Sequence, residues 1–318
     1  MEDHRTAKPP LVILTGPTAV GKTDLSIRLA KALDGEIISA DSMQVYRHMD
    51  IGSAKIRPEE MEGVPHHLLD VLEPWEEFNV TRFQSMAKEA LAGIYARGRV
   101  PIVTGGTGFY IQALAYDIDF TENEDNGQVR KELEALSREK GPEFLHAMLR
   151  EVDEASAQAI HANNIKRVIR AIEFYRLTGT PISQHNQKER ERTSPYDLYY
   201  YVLTCQRSRL YERIEQRVDK MVEAGLVEEV RRLQEMGCHR GMVSMQGLGY
   251  KEILDYLDGT CTLDEALYVL KRDTRHFAKR QLTWFKRERD VRWLVLEEYG
   301  FDQEKLLRHI LDEVKGPL

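Results

Sequence analysis

Residues 11–23 constrain this chain more than any other stretch: Leu11-Val12-Ile13-Leu14-Thr15-Gly16-Pro17-Thr18-Ala19-Val20-Gly21-Lys22-Thr23. A short apolar run ends in Gly16 and leads to Gly21, Lys22 and Thr23, the G-x-x-x-x-G-K-[ST] spacing of a phosphate-binding loop. The apolar run reads as a buried strand, and Leu25, Leu29 and Leu33, with Ala30 and Ala32, follow at helical spacing. Strand, loop and helix in that order aim backbone N–H groups and the positive end of a helix at one point. The two glycines let the backbone turn and approach a phosphate closely. Lys22 can neutralise phosphate oxygens and Thr23 can ligate Mg²⁺. Pro17, Thr18, Ala19 and Val20 complete the cradle. The loop announces a polyphosphate ligand but not which bond breaks.

Further strands and helices alternate behind it. Residues 36–41 read as a second strand ending in Asp41, and residues 66–70 as a possible third. A helix is expected over 81–97, then a buried strand over 100–104 that runs into Gly105-Gly106-Thr107-Gly108. This alternation implies a parallel sheet with helices on its faces. From 117 to 195 no good strand is found. Residues 121–127 read as a loop, helices are expected over 128–139, 142–150 and 164–177, and 183–195 are polar and highly charged. The sheet pattern resumes at 198–204, a long helix or helix pair covers 209–235 with a break at Gly225, and a basic helix covers 263–289. The expected fold is α/β: a parallel sheet of the P-loop NTPase type flanked by helices, residues 1–116 and 196–318, with a helical insertion over 117–195.

Composition narrows the class. With 318 residues, 42% hydrophobic and 31% charged, the chain can bury a full core, and it has no apolar stretch of membrane-spanning length. Three scattered cysteines, Cys205, Cys238 and Cys261, suggest neither a disulfide framework nor a zinc site. No apolar signal core is seen at the start, so a cytoplasmic protein with no membrane partner is expected. The net charge of −7 argues against a nucleic-acid partner only if the basic residues are dispersed, and they cluster.

Five constellations can carry chemistry. Asp41 follows a strand and should face the ligand crevice if its strand neighbours that of the loop, as a metal ligand or a proton acceptor. A helix cap or turn is the commoner fate of such an aspartate; Asp70 is a rival of the same kind. Thr107, in a turn of three glycines, can donate to a phosphate or base. Arg130, Lys166, Arg167, Arg170 and Arg176 lie in the insertion, where a solvated helix surface is the bland explanation. Residues 271–289 hold eight Lys or Arg against two acidic residues, and Arg272, Arg275, Lys279 and Lys286 can form one stripe suited to a phosphodiester backbone. Arg213 and Arg217 sit four apart, one of them able to clamp a phosphate unless Glu212 or Glu215 pairs with them.

Gly16 to Thr23, Asp41-Ser42-Met43-Gln44-Val45-Tyr46, Gly105-Gly106-Thr107-Gly108-Phe109-Tyr110, Gln246-Gly247-Leu248-Gly249-Tyr250-Lys251 and Lys279-Arg280-Gln281-Leu282-Thr283-Trp284 together resemble the bacterial tRNA dimethylallyltransferase family, in the family's order and over nearly the whole chain. The resemblance implies transfer of a dimethylallyl group from dimethylallyl diphosphate to N6 of adenine 37, beside the tRNA anticodon, with pyrophosphate leaving and Mg²⁺ assisting. It implies catalytic roles for Asp41, as general base, Thr107 and Arg217. It places the diphosphate on Gly16 to Thr23. It assigns tRNA contact to Asp41, Ser42, Met43, Gln44, Thr107, Arg130, Lys166, Arg167, Val168, Ile169, Arg170, Gln246, Gly247, Lys251, Lys279 and Arg280. The insertion would then clasp the anticodon stem-loop, and a monomer is expected.

Three other functions use the same loop. A small-molecule kinase would bind ATP and use Asp41 to activate a hydroxyl. An isopentenyltransferase acting on free AMP or ADP would need no insertion. An RNA-binding protein could use the nucleotide loop only as a switch.

Overall fold

The computed structural model describes residues 8–120 and 127–314. The chain divides into two units, Met1–Tyr116 with Ser194–Leu318, and Asp117–Thr193. The first unit opens with β1 (Pro10–Thr15), α1 (Lys22–Leu33), β2 (Gly35–Ala40), β3 (His66–His67), α2 (Val80–Ala96), β4 (Val100–Gly105) and α3 (Gly108–Ala115). The second unit holds α4 (Gln128–Lys140), α5 (Pro142–Val152), α6 (Glu154–Ala159), α7 (Ile165–Thr178) and α8 (Ile182–Glu191). The first unit resumes with β5 (Asp197–Thr204), α9 (Arg207–Glu223), α10 (Leu226–Glu235), α11 (Tyr250–Leu257), α12 (Leu263–Phe285), β6 (Val291–Val295) and α13 (Gln303–Val314).

The six strands form one all-parallel sheet in the order β3-β2-β4-β1-β5-β6. Helices cover both faces, so β1 and β2 are buried along almost their whole length. That is why they read as apolar runs and not as alternation. On one face Leu25 and Leu29 of α1 meet Tyr199, Tyr201 and Leu203 of β5 and Leu306, Ile310 and Val314 of α13. The second unit closes α4, α5 and α7 around Leu133, Leu145, Leu149, Val168, Ile169 and Ile172. There Asp153 caps α6, accepting from the Ser156 N–H at 2.9 Å, the Ser156 hydroxyl at 2.7 Å and the Ser183 N–H at 2.9 Å. No helix among the described residues is long and apolar enough to cross a membrane.

Several boundaries differ from the sequence reading, each for a local reason. The strand expected over 66–70 stops at His67, because Leu68 and Asp70 take left-handed φ of +64° and +52° and leave the ladder. The 209–235 stretch is two helices, broken where Gly225 takes φ +99°. The basic helix ends at Phe285 and not at 289. Within the polar stretch 183–195 runs a helix, α8, with one buried side chain, Glu189; so much charge on its other faces hid it. Ser194 and Pro195 belong to the sheet unit, where Lys8 Nζ donates to Ser194 O at 2.7 Å. The loop expected over 121–127 falls, but for Gly127, outside the described residues. The strands carrying the phosphate loop and Asp41 are not neighbours, since β4 lies between β1 and β2.

Candidate active site

Gly16 leaves β1 with φ +146°, and a β-carbon there would lie 2.5 Å from Leu203 O, so only glycine fits. Gly21, at φ +105°, caps α1. Pro17 and Val20 are buried and anchor the loop between those turns. Lys22 curls back, its Nζ donating to Gly16 O at 3.0 Å and Pro17 O at 2.8 Å. Burial pulls this ammonium down to about 7; the nearby Arg217 charge pushes the same way and Asp41 pushes against it. Lys22, Asp41 and Arg217 are thus close enough to feel one another's charge. The Arg217 guanidinium is also depressed by burial and raised by Asp41, and its Nη1 donates to Thr18 Oγ1 at 3.3 Å. Arg213, one turn earlier on α9, brings Nη2 to 3.2 Å from where a Gly21 β-carbon would sit. Glu215, a candidate partner for these arginines, instead binds Arg275 at 2.6 Å.

Asp41 reaches this cluster although β4 intervenes, because β4 ends in glycine. A β-carbon at Gly105 would lie 2.2 Å from Ala40 O. Without it, β2 closes on the turn, and the Thr107 N–H donates to Ala40 O at 3.2 Å. Asp41 Oδ1 accepts from the Met43 N–H at 2.8 Å, a turn that aims the carboxylate. Its charge also helps raise the Tyr110 phenol, behind burial and Tyr46, to a pKa above the titration range of neutral chemistry. Thr107 caps α3 and is half-buried beside it. Thr23 is exposed on the first turn of α1.

The remaining predicted residues fall into groups. Gln44 has its amide occupied: it accepts from Ser39 Oγ at 3.1 Å and donates to Ser53 O and Ala54 O, each at 3.3 Å. It braces the loop after β2. Ser42 and Met43 are half-buried, and the Met43 methyl would lie 2.4 Å from a β-carbon at Gly247, which joins two of the predicted motifs. Gln246 is exposed, and Lys251 lies 3.8 Å from Asp273. Lys279 and Arg280 are exposed on α12. The proposed stripe is not uniform, since Arg272 and Arg275 are committed to Asp273 and Glu215. Asp70 is a structural ion-pair partner of the buried Lys55 at 2.5 Å and not a rival to Asp41.

In the second unit Lys166 and Arg167 are exposed at the start of α7. Arg130 and Arg170 share the buried Glu173, Arg130 through two hydrogen bonds of 3.0 and 2.7 Å. Val168 and Ile169 need correcting: at 0% and 4% exposure their side chains are core, so they offer an RNA no side-chain contact.

Two residues were not singled out by the sequence. Gln281 Oε1 accepts from the Thr18 N–H at 2.9 Å and its Nε2 donates to Gly106 O at 2.9 Å. The Glu229 carboxylate accepts from the N–H groups of Asp50, Ile51 and Gly52 at 2.9, 2.8 and 3.0 Å and from the Tyr250 hydroxyl at 2.9 Å. Gln281 sat inside a quoted motif. Glu229 lies in the first turn of α10, where an acidic residue suits the helix dipole and so carries no sequence signal of the loop it holds.

The model of the family described as "IPP transferase" matches residues 44–288, and that described as "Isopentenyl transferase" matches 9–73. The chain is 64% identical to a tRNA dimethylallyltransferase of Lachnoclostridium phytofermentans, over 92% of this chain and 94% of the relative. It is 52% identical to one of Carboxydothermus hydrogenoformans, over 95% and 96%. Among solved structures it resembles the full-length tRNA isopentenylpyrophosphate transferase of Bacillus halodurans, with TM-score 0.73 and 46% identity over 97% of this chain and 96% of that one. It also resembles a eukaryotic dimethylallyltransferase acting on tRNA, with TM-score 0.84 and 29% identity over 97% of this chain and 80% of that one.

Proposed function

The chain belongs to the IPP transferase family of tRNA-modifying prenyltransferases, and we propose that it moves a dimethylallyl group from dimethylallyl diphosphate to N6 of adenine 37 in tRNA. The observation that carries this reading is the convergence of three side chains on one phosphate loop. Lys22 folds back onto Gly16 and Pro17, Arg217 bonds Thr18, and Asp41 follows the strand end that Thr107 binds at Ala40 O. Two cations and the loop amides favour the charge that develops on a departing pyrophosphate. A carboxylate beside them suits a nucleophile that must lose a proton. The N6 amine is weak because its lone pair is delocalised into the ring. Its nitrogen forms a bond to C1 of the dimethylallyl group as the C1–O bond breaks. The electron pair of that bond leaves with pyrophosphate, and the N6 proton passes to Asp41. Adenine 37 must leave the anticodon stack to reach the site.

A divalent ion fits the donor set. Among the described residues no cluster of three or more His, Cys, Asp or Glu is placed to hold a metal. The exposed Thr23 hydroxyl, with diphosphate oxygens and water, makes the all-oxygen, water-rich set that Mg²⁺ accepts. When bound, Mg²⁺ would neutralise charge on the diphosphate. Dimethylallyl diphosphate as donor, a monomer, and action in the cytoplasm are parts of the same proposal. So is RNA contact by Lys279 and Arg280 of α12, by Gln246, Gly247 and Lys251, and by Lys166 and Arg167 of the helical unit.

Labelled dimethylallyl diphosphate and unmodified tRNA test it directly. Wild type should move the label to the RNA, while labelled ATP with the same tRNA should remain intact. Asp41→Asn should lower single-turnover transfer by about 10²–10⁴-fold with tRNA still bound. Transfer at a near-normal rate would remove Asp41 as the proton acceptor.

A further inference from the structure

We propose that Gln281 is a positioning residue that couples the RNA-facing helix to the diphosphate loop, so that occupancy of one site changes affinity at the other. The proposal rests on the reading of α12 as an RNA contact. Gln281 lies on the buried side of α12, 6% exposed, next to the exposed Lys279 and Arg280. Its amide bridges two loops far away in sequence. The carbonyl takes the Thr18 N–H of the phosphate loop and the NH₂ binds Gly106 O in the turn after β4, both at 2.9 Å. A β-carbon at Gly106 would lie 2.2 Å from Nε2, so the turn admits the amide only as glycine.

Thr18 is held a second time. Its hydroxyl accepts from Arg217 on α9. That helix is tied to α12 by Arg275–Glu215 at 2.6 Å and Lys271–Asp219 at 2.5 Å. Both the N–H and the hydroxyl of one loop residue therefore answer to α12, and a small shift of this helix under RNA must move the backbone that receives the diphosphate. A side chain that merely filled space would need no such pair of bonds. Coupling of this kind is reciprocal: RNA and diphosphate change each other's affinity by the same factor.

Calorimetry on the full-length chain tests it with inorganic pyrophosphate as probe, alone and with a saturating unmodified anticodon stem-loop. In wild type the stem-loop should change the pyrophosphate Kd by about five-fold or more. Gln281→Leu should bring that ratio to about one. Gly106→Ala, which pushes the amide aside from its other partner, should do the same and guards against a folding defect peculiar to one variant. A general loss of stability would weaken both ligands without erasing the ratio. A wild-type ratio of one, or an unchanged ratio in both variants, overturns the coupling. A stem-loop that fails to bind at all overturns the RNA reading of α12, and the coupling with it.

Discussion

Lys22 carries the clearest pH signature of any single residue. Its ammonium is lowered to about 7, first by burial, then by Arg217, with Asp41 opposing. In the free protein it is therefore losing its proton just above neutrality. A bound diphosphate brings negative charge to the same loop and must raise it again. Diphosphate binding should thus take up a proton between about pH 7 and 8.5, and affinity should fall as the pH rises through that window. The check is calorimetric titration of pyrophosphate in two buffers of different ionisation enthalpy. Lys22→Met should remove the protein's share of the uptake and leave only that of pyrophosphate. Equal uptake in both proteins would assign the linkage elsewhere. Lys22 and Thr23 were legible from spacing alone, because the loop's geometry permits few residue types. The grip of Gln281 on Thr18 was not legible, since a glutamine 263 positions away carries no local signal of its target.

At the scale of elements, the loop that follows Asp41 is held by a helix that contributes no chemistry. Glu229 of α10 is 2% exposed and accepts three successive backbone N–H groups and a phenol. The Tyr250 ring packs so closely on Gly52 that a β-carbon there would lie 2.6 Å from it. Glu229→Ala leaves these donors without an acceptor. Partial hydration of this half-buried loop limits the cost to about 2–4 kcal/mol. The urea midpoint should fall accordingly, and hydrogen exchange at Ile51 and Gly52 should speed up more than at β1. Exchange unchanged at those amides would show that the carboxylate does not hold the loop. The elements that the sequence could show were those with one strong period. β1, β4 and β5 are apolar runs buried on both faces, and α2 and α7 keep long apolar stripes. Elements dominated by partners stayed hidden. β6 is a five-residue edge strand with an exposed Arg292, and α11 is an eight-residue helix whose Glu252 and Tyr250 are buried through contacts distant in sequence. For the same reason the interposed β4 could not be read, because strand order depends on crossovers that leave no local trace.

The whole chain has a net charge of −7, and Asp41 is one of few acidic residues the phosphate loop feels; others hold the sheet together far from it. One of them sits at the opposite end of the sheet, at the start of β2. Glu36 is 2% exposed and binds Arg97 through two hydrogen bonds of 2.8 and 2.7 Å, Arg99 at 3.2 Å and His67 at 2.6 Å. It thereby joins β2, β3 and the turn from α2 to β4 at a point where the edge strand is only two residues long. The hydrogen bonds from Arg97 outweigh its burial and hold its carboxyl down at about 2, against an ordinary 4.5. The unfolded chain therefore takes the proton first. The stability that Glu36 contributes is complete above about pH 4.5 and is lost as the pH falls toward 2. At about 1.4 kcal/mol for each pH unit the ceiling is about 3 kcal/mol. Arg97 and Arg99 are 48% and 36% exposed. Solvent screening of such partners reduces the figure to about 1–2 kcal/mol. Glu36→Gln should be less stable than wild type by that amount at pH 7, with the gap between their urea midpoints closing between pH 5 and pH 3. A gap that stayed constant over that range would mean that packing around the side chain, and not its charge, holds this end of the sheet together.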